Sequence, residues 1–309
     1  MDLSILIVNY NTRAFLEPLL ASLRETVRET HYEVIVVDND SRDDSVAMIR
    51  RAFPEVVLLQ SKQNLGFSKA NNLAARQAKG EYLLFLNPDT LVSERSVDEL
   101  VAFLRANPQA AAVGCKLLNE DGSLQRSCGR FPNLCIELRT RTLLSRIFPN
   151  SRIFARHKLS DWDYTTVRSV DWVSGACLLV RKAVFDEVGG FDENIFMFYE
   201  DVDLCLRLRR KGWDLLFYPH VSVYHFHGGS WRERRQVAIK QSIVNALYYY
   251  RKHHSKVALA VLHVLMLLEL LLSFAWVVGW SAIREPWDTT KSRLRGLADG
   301  LKYLLLRRE

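Results

Sequence analysis

Four groups of residues in this chain have the types and spacing that chemistry needs. Asp38 stands in Val36-Val37-Asp38-Asn39-Asp40-Ser41, directly after an apolar run. A carboxylate there can accept from a pyrimidine N–H or a ribose hydroxyl, and it can equally cap the helix that follows. Asn87-Pro88-Asp89-Thr90 closes another apolar run. A carboxylate on a rigid, proline-containing turn suits a hard divalent cation that bridges two phosphates, although Asn, Pro and Asp also make ordinary β-turns. Glu200, Asp201 and Asp203 open a charged helical stretch, where the helix dipole favours acids. Three carboxylates within four residues also repel, and one that faces a pocket has its pKa raised and can act as a general base. The i, i+2 spacing sends Asp201 and Asp203 to different sides. Finally, His225-Phe226-His227-Gly228-Gly229-Ser230 puts two imidazoles on one face of a strand end, before a glycine turn. Neutral imidazole is a frequent metal ligand and glycine-turn amides can meet a phosphate, while a His pair can also be purely structural.

The elements that must position these groups alternate in type. Leu3 to Val8 is a short β-rich run, and Glu33 to Val37, Val56 to Leu59 and Tyr82 to Leu86 are largely apolar strand-like runs. Between them lie helical patterns: Phe15, Leu16, Leu19, Leu20 and Leu23, then residues 45–53 with Asp40 or Ser41 as cap, then 68–79. Buried strands alternating with amphipathic helices predict an α/β fold with a parallel sheet. Asn9 to Asn11, Asp38 to Ser41 and Asn87 to Thr90 follow three of the strands, and ligands in such sheets bind at the carboxyl ends of strands. Neither G-x-G-x-x-G nor G-x-x-x-x-G-K-[ST] occurs, so a nucleotide would need another device for its phosphates. Further on, Ala176 to Val180, Leu215 to Tyr218 and Val221 to Phe226 read as three short strands.

With 309 residues, 49% hydrophobic and 25% charged, the chain has the proportions of a globular protein, which excludes disordered and collagen-like classes. The net charge of +7 favours an anionic partner. Nucleic acid is not expected, because the basic residues are not interleaved with a stacking platform. Five cysteines without C-x-x-C spacing predict buried thiols in a reducing compartment. The first apolar run is short and has no basic leader, which predicts a cytosolic catalytic part. Residues 139–158 hold Arg139, Arg141, Arg146, Arg152, Arg156 and Lys158 without an acid; this is either a solvated loop or a surface for anionic lipid or a diphosphate-bearing acceptor. Residues 257–283 carry one formal charge, Glu269, over a length that can cross a bilayer. Basic residues flank both ends, which counts against a single span. A re-entrant hairpin bent near Gly279, an interfacial helix and a long buried helix remain the readings.

Taken in order, these motifs resemble family 2 glycosyltransferases of the GT-A fold. The likeness is carried by Ile7-Val8-Asn9-Tyr10-Asn11, Val36-Val37-Asp38-Asn39-Asp40-Ser41 and Asn64-Leu65-Gly66-Phe67-Ser68-Lys69-Ala70-Asn71-Asn72. Phe85-Leu86-Asn87-Pro88-Asp89, Gly175-Ala176-Cys177-Leu178-Leu179-Val180-Arg181, Gly190-Phe191-Asp192-Glu193 and Phe198 to Arg207 complete it. It spans roughly residues 3–250 and is greatest to the rhamnosyltransferase-like branch of bacterial cell-surface polysaccharide synthesis. The resemblance implies a Rossmann-like nucleotide-diphospho-sugar transferase domain over residues 1–250, with a nucleotide-sugar half (1–115) and an acceptor and catalytic half (116–250). Residues 251–309 would be a membrane-associated helical tail. By position, Asn9, Tyr10, Asn11, Asp38, Asn64, Gly66, Asn71 and Asn87 would bind the nucleotide-sugar donor. Asp89 and His225 would hold Mg²⁺ or Mn²⁺, with His227 the less certain histidine. Asn87 stands where the family's D-x-D-type motif has its first acid, so the metal would hold fewer protein charges. Asp201 would be the general base, with Glu200 beside it. The implied activity is inverting, metal-dependent transfer of a sugar, first choice L-rhamnose from dTDP-rhamnose, to a polyprenyl-diphosphate-linked or glycan acceptor. Membrane lipid would be a partner, at the cytoplasmic face of a bacterial inner membrane. Galactofuranose or another hexose is the alternative sugar; a non-catalytic membrane scaffold of the same fold is the alternative class.

Overall fold

The computed structural model describes residues 1–140, 159, 162–226, 235–278 and 287–306. Four apolar runs form a parallel half-sheet: β1 (Leu3–Asn9), β2 (Tyr32–Asp38), β3 (Val57–Gln60) and β4 (Tyr82–Leu86). The helices α1 (Arg13–Thr26), α2 (Ser45–Ala52) and α3 (Gly66–Gln77) connect them. β1, β2 and β4 are buried nearly throughout, so their apolar runs need no alternation. Leu3, Ile5, Ile7, Leu16, Leu19, Val36, Leu84 and Leu179 share one core cluster with essentially no exposure. Each such side chain contributes about 1.5–3 kcal/mol on burial.

The second half of the sheet is mixed. In chain order it brings β5 (Thr90–Val92), α4 (Ser96–Ala106), β6 (Ala110–Leu118), β7 (Leu124–Gln125), β8 (Cys128–Gly129), α5 (Leu134–Thr140), β9 (Arg168–Ser169) and β10 (Trp172–Val173). Then follow β11 (Cys177–Arg181), α6 (Lys182–Glu187), α7 (Glu200–Arg210) and β12 (Asp214–His225). The strand order is β3-β2-β1-β4-β11-β6-β12-β5, with β7 on β6 and β9 on β12, while β8 and β10 pair separately. β11 runs antiparallel to both β4 and β6, and β5 antiparallel to β12. The carboxyl ends of β1, β2, β4 and β12 therefore share one edge with the amino ends of β5 and β11.

Three expectations are corrected. Leu215 to Tyr218 and Val221 to Phe226 are one strand, β12 (Asp214–His225), whose register slips between Tyr218 and Ser222, around Pro219. Neither Asp40 nor Ser41 caps α2. Asp40 turns the chain with φ 66° and Ser41 is held by Asn9 and Asn11, while the Asp43 carboxylate accepts from the Ser45 amide at 3.1 Å. Of the cysteines, Cys115, Cys128, Cys177 and Cys205 are buried thiols, but Cys135 is exposed.

The chain divides into two compact units: residues 1–131, 162–196 and 200–230, and residues 132–161, 197–199 and 231–309. The second unit contains α5 and three long helices, α8 (Arg235–His253), α9 (Lys256–Trp276) and α10 (Trp287–Leu306). Gly296 and Gly300 let α8 and α10 approach: a Cβ at Gly300 would stand 2.6 Å from Ile243 Cδ1, and one at Gly296 3.1 Å from the Gln236 backbone. The Ser255 hydroxyl caps α9 by accepting from the Ala258 amide at 3.2 Å. This helix has a mean hydropathy of 2.4 and is long and apolar enough to cross a membrane. Ala258, Leu262, Met266, Leu270 and Ser273 form its buried stripe, and Val257, Val264, Leu268, Leu271 and Trp276 are exposed. Residues 141–158, His227 and Gly279 lie outside the described residues.

Candidate active site

Asn9, the last residue of β1, is buried because its amide ties together the first two strand ends. Its Nδ2 donates to Asp38 Oδ1 at 2.8 Å and to Ser41 Oγ at 2.9 Å, and its Oδ1 accepts from the Thr12 hydroxyl at 2.6 Å. Asp38 Oδ2 accepts from the Ser41 amide at 3.1 Å. Asn11 takes a left-handed φ of 54°, accepts from the Arg42 amide and donates its own N–H to Ser41 Oγ. Tyr10 is half-buried in the same turn.

Asn39 joins this network to the start of α3. Its Nδ2 donates to the Gly66 carbonyl at 3.1 Å and its Oδ1 accepts from the Leu65 amide at 3.3 Å. Asn64 Oδ1 accepts from the Gly66 amide at 2.9 Å. Gly66 is obligatory here: φ is +78° and a Cβ would stand 2.6 Å from Phe196. Asn71 is buried with Nδ2 donating to the Phe67 carbonyl one turn back. Its neighbour Asn72, which sequence reasoning did not single out, reaches across instead. Asn72 donates to the Phe191 carbonyl at 2.8 Å and accepts from the Phe191 amide at 2.9 Å. These two hydrogen bonds hold the Gly190-Phe191 turn against α3.

Asn87 follows β4, and its amide donates to the Ala176 carbonyl at 3.0 Å. The antiparallel register opposes Thr90 to His225, so the Asp89 carboxylate meets the imidazole. Asp89 Oδ1 lies 3.3 Å from His225 Nε2, and Asn87 Nδ2 lies 3.3 Å from the same nitrogen. All three approach one point at the strand edge. Asp89 and His225 are buried. Among the described residues no three His, Cys, Asp or Glu side chains converge. Asp89 and His225 Nε2 could offer a divalent cation one carboxylate oxygen and one imidazole nitrogen, with further positions left for a ligand's oxygens and water.

Across the Gly175-Ala176 turn stands the second acidic group. Asp201 Oδ2 accepts from the Gly175 amide at 3.1 Å and Oδ1 from the Val202 amide at 2.8 Å. Burial raises its pKa, and the two amides offset part of that rise. Glu200 is more isolated: its Oε2 is buried without a hydrogen-bond partner, and burial followed by the charge of Asp201 holds its pKa well above the carboxylate range. Asp203 is turned away and pairs with Arg207 at 2.8 Å, one helical turn on. The chain enters α7 through Phe198 and Tyr199, at φ 64° and 71°. Two successive non-glycine residues there cost on the order of 1–3 kcal/mol each. An open depression of about 500 Å³ lies beside Asn72, Arg76 and Gly190, and neither Asp89 nor Asp201 lines it.

An open α/β sheet with its polar and acidic groups gathered along one strand edge places a ligand site at that edge. Among solved structures, the chain is similar to the mannosyltransferase PcManGT from Pyrobaculum calidifontis in complex with GDP-Man and Mn²⁺. That match has a TM-score of 0.57 at 19% identity and covers 99% of this chain and 88% of the other. It is also similar to GalNAc-T7 with UDP, GalNAc and Mn²⁺, with a TM-score of 0.57 at 14% identity, covering 99% and 56%. The fold is that of GT-A glycosyltransferases. The family model for glycosyl transferase family 2 matches residues 4–188, and the chain belongs to that family. Among curated proteins it is 33% identical over 234 residues to the N-acetylglucosaminyl-diphospho-decaprenol L-rhamnosyltransferase of Mycobacterium tuberculosis, covering 72% of this chain and 75% of the relative. It is 29% identical over 233 residues to rhamnosyltransferase WbbL of Escherichia coli K12, covering 72% and 82%. The protein is a glycosyltransferase of the rhamnosyltransferase-like kind.

Proposed function

We propose that this enzyme transfers a sugar, L-rhamnose from dTDP-rhamnose, to a polyprenyl-diphosphate-linked or glycan acceptor with inversion at the anomeric carbon. The observation that carries the reading is the meeting of Asp89 with His225 at the strand edge, beside a Gly175-Ala176 turn that accepts from the Asn87 amide and donates to Asp201. The two rhamnosyltransferase relatives support the sugar. The decaprenol relative's name supports the acceptor class.

Asp38, with Asn9, Tyr10 and Asn11 around it, accepts from the base or ribose of the donor. Asn64, Gly66, Asn71 and Asn87 shape the donor pocket. Asp89 and His225 Nε2 would hold Mg²⁺ or Mn²⁺, which when bound neutralises charge on the leaving diphosphate. Asp201 takes the proton from the acceptor hydroxyl as it attacks, and its raised pKa suits that task. Glu200, buried beside it, is held on the protonated side by burial and by the charge of Asp201, so it adds no second negative charge there. The exposed apolar face of α9 offers a surface for membrane lipid, which would hold the enzyme at the cytoplasmic face near a lipid-linked acceptor.

Thermal unfolding with thymidine, uridine and guanosine diphosphates, each with and without Mn²⁺, tests the reading. A ligand at a hundred times its Kd stabilises the fold by about 2.7 kcal/mol. A Mn²⁺-dependent shift with thymidine diphosphate is expected. A shift with uridine diphosphate alone moves the sugar toward galactofuranose, and no shift with any of them leaves the membrane scaffold.

A further inference from the structure

β7 consists of two residues, Leu124 and Gln125, paired to the end of β6 with Leu117 opposite Gln125. β6 in turn runs beside β12, with Leu118 opposite Tyr224. Gln125 is thereby buried against the last residue of β12. Its Nε2 donates to the His225 carbonyl at 2.5 Å and to the Leu118 carbonyl at 3.5 Å, and its Oε1 lies 2.9 Å from His225 Nδ1.

The hydrogen-bonding types leave one consistent assignment. A backbone carbonyl only accepts, so the NH₂ of Gln125 faces the two carbonyls and its oxygen faces the ring. An amide oxygen also only accepts, so the imidazole Nδ1 must carry the hydrogen. The ring therefore turns Nε2 toward Asp89 Oδ1 and Asn87 Nδ2, both at 3.3 Å. We infer that Gln125 is a positioning residue for the cation site: it holds the His225 ring by both backbone and side chain and keeps hydrogen on Nδ1, so that Nε2 is the nitrogen offered to a divalent ion beside Asp89. The inference rests on the reading of Asp89 and His225 as cation ligands. Metal-bound histidines are commonly oriented through their other N–H by a carboxylate or carbonyl; here a neutral amide takes that place. With Asn87 where an acid could stand, the described donor set carries a single formal negative charge, and the precision of Nε2 placement matters more.

Two variants and one direct observation test this. Mn²⁺ affinity is measured by the electron paramagnetic resonance of free Mn²⁺ in the presence of thymidine diphosphate. Gln125→Met removes the acceptor on Nδ1 and is expected to weaken Mn²⁺ binding about 10–100-fold, with metal-free nucleotide binding unchanged. Gln125→Glu keeps an acceptor on Nδ1 but loses the donor to the His225 and Leu118 carbonyls, and is expected to bind Mn²⁺ more tightly than Gln125→Met and more weakly than the parent. A folded Gln125→Met protein that binds Mn²⁺ like the parent overturns the inference. No Mn²⁺ binding by the parent overturns the metal reading itself, and the inference with it. Nitrogen-15 resonances of histidine-labelled parent protein, assigned by their loss in His225→Gln, read the tautomer without altering Gln125. A ring that carries hydrogen on Nδ1 is expected, and one that carries hydrogen on Nε2 alone refutes the assignment.

Discussion

Asp201→Asn separates proton acceptance from binding. The carboxylate occupies two amides, those of Gly175 and Val202, and asparagine has the same shape but only one oxygen. Its NH₂ must face one of the two N–H groups, which loses its acceptor at a cost of about 1–3 kcal/mol. The substitution also removes a buried ionisable group, whose ionisation burial disfavours, so the two effects oppose each other. At about 2–4 °C per kcal/mol for a domain of this size, the unfolding midpoint should move by only a few degrees. Loss of a general base lowers the chemical step about 10²–10⁴-fold, equivalent to about 2.7–5.4 kcal/mol of barrier. The expected result is a large fall in kcat, with nucleoside diphosphate affinity and donor KM within about threefold of the parent. Release of nucleoside diphosphate reports the rate, nucleotide titration reports binding, and thermal melting reports folding. In the parent, kcat should rise with pH through a pKa above the ordinary aspartate range, and that limb should vanish in the variant. A folded variant turning over within tenfold of the parent refutes the assignment of Asp201 as base.

Glu200→Gln should stabilise the protein. The folded chain holds Glu200 protonated at pH values where the unfolded chain has released the proton, because burial and Asp201 raise its pKa. Stability therefore falls as pH rises from the ordinary carboxyl range through the raised value. Glutamine removes that dependence, so the variant should melt higher than the parent at about pH 8 and close to it near the ordinary carboxyl pKa; no gain at the higher pH refutes the reasoning. For the thiols, burial pushes Cys128 and Cys205 up to about 12. The Cys177 sulfur at 3.6 Å, together with burial, raises Cys115. A disulfide-exchange reagent should titrate one thiol quickly in the native protein, the exposed Cys135, and five in denaturant; more than one fast thiol in the native state refutes the burial.

The strand ends were legible because each ends an unbroken apolar run in Asn or Asp: Asn9, Asp38 and Asn87 all lie where polar loops must begin. The alternation that predicts a parallel sheet is visible for the same reason. What the pattern hid depends on single-residue geometry. Asn71 and Asn72 are the same residue type, and only the helix phase decides that Asn72 reaches Phe191 while Asn71 bonds back along its own helix. Gln125 belongs to a strand of two residues, too short for any periodicity. Pro219 within β12 reads as a break, because a register slip is a property of the paired strands and not of one strand's own residues. The left-handed turn at Phe198 and Tyr199 has no glycine to announce it.

The acids differ in how far the hydrogen bonds each receives offset its burial. Burial alone would raise Asp98, yet the amides of Arg28, Glu29 and Thr30 all donate to it and hold its pKa below the usual range. Such an acid is committed to its anion and serves to pin the chain after α1. Asp201 accepts from the amides of Gly175 and of Val202 in its own helix, and burial outweighs its hydrogen bonds. Glu200, one residue earlier, has a buried oxygen with no partner at all. An acid kept on the protonated side by its surroundings gains most from accepting a proton. By that criterion α7, rather than the better-bonded acids elsewhere in the sheet, is the place for the proton transfer proposed above. The strained approach through Phe198 and Tyr199 is consistent with this, because backbone strain of this kind persists where the surrounding structure fixes the position of a functional group.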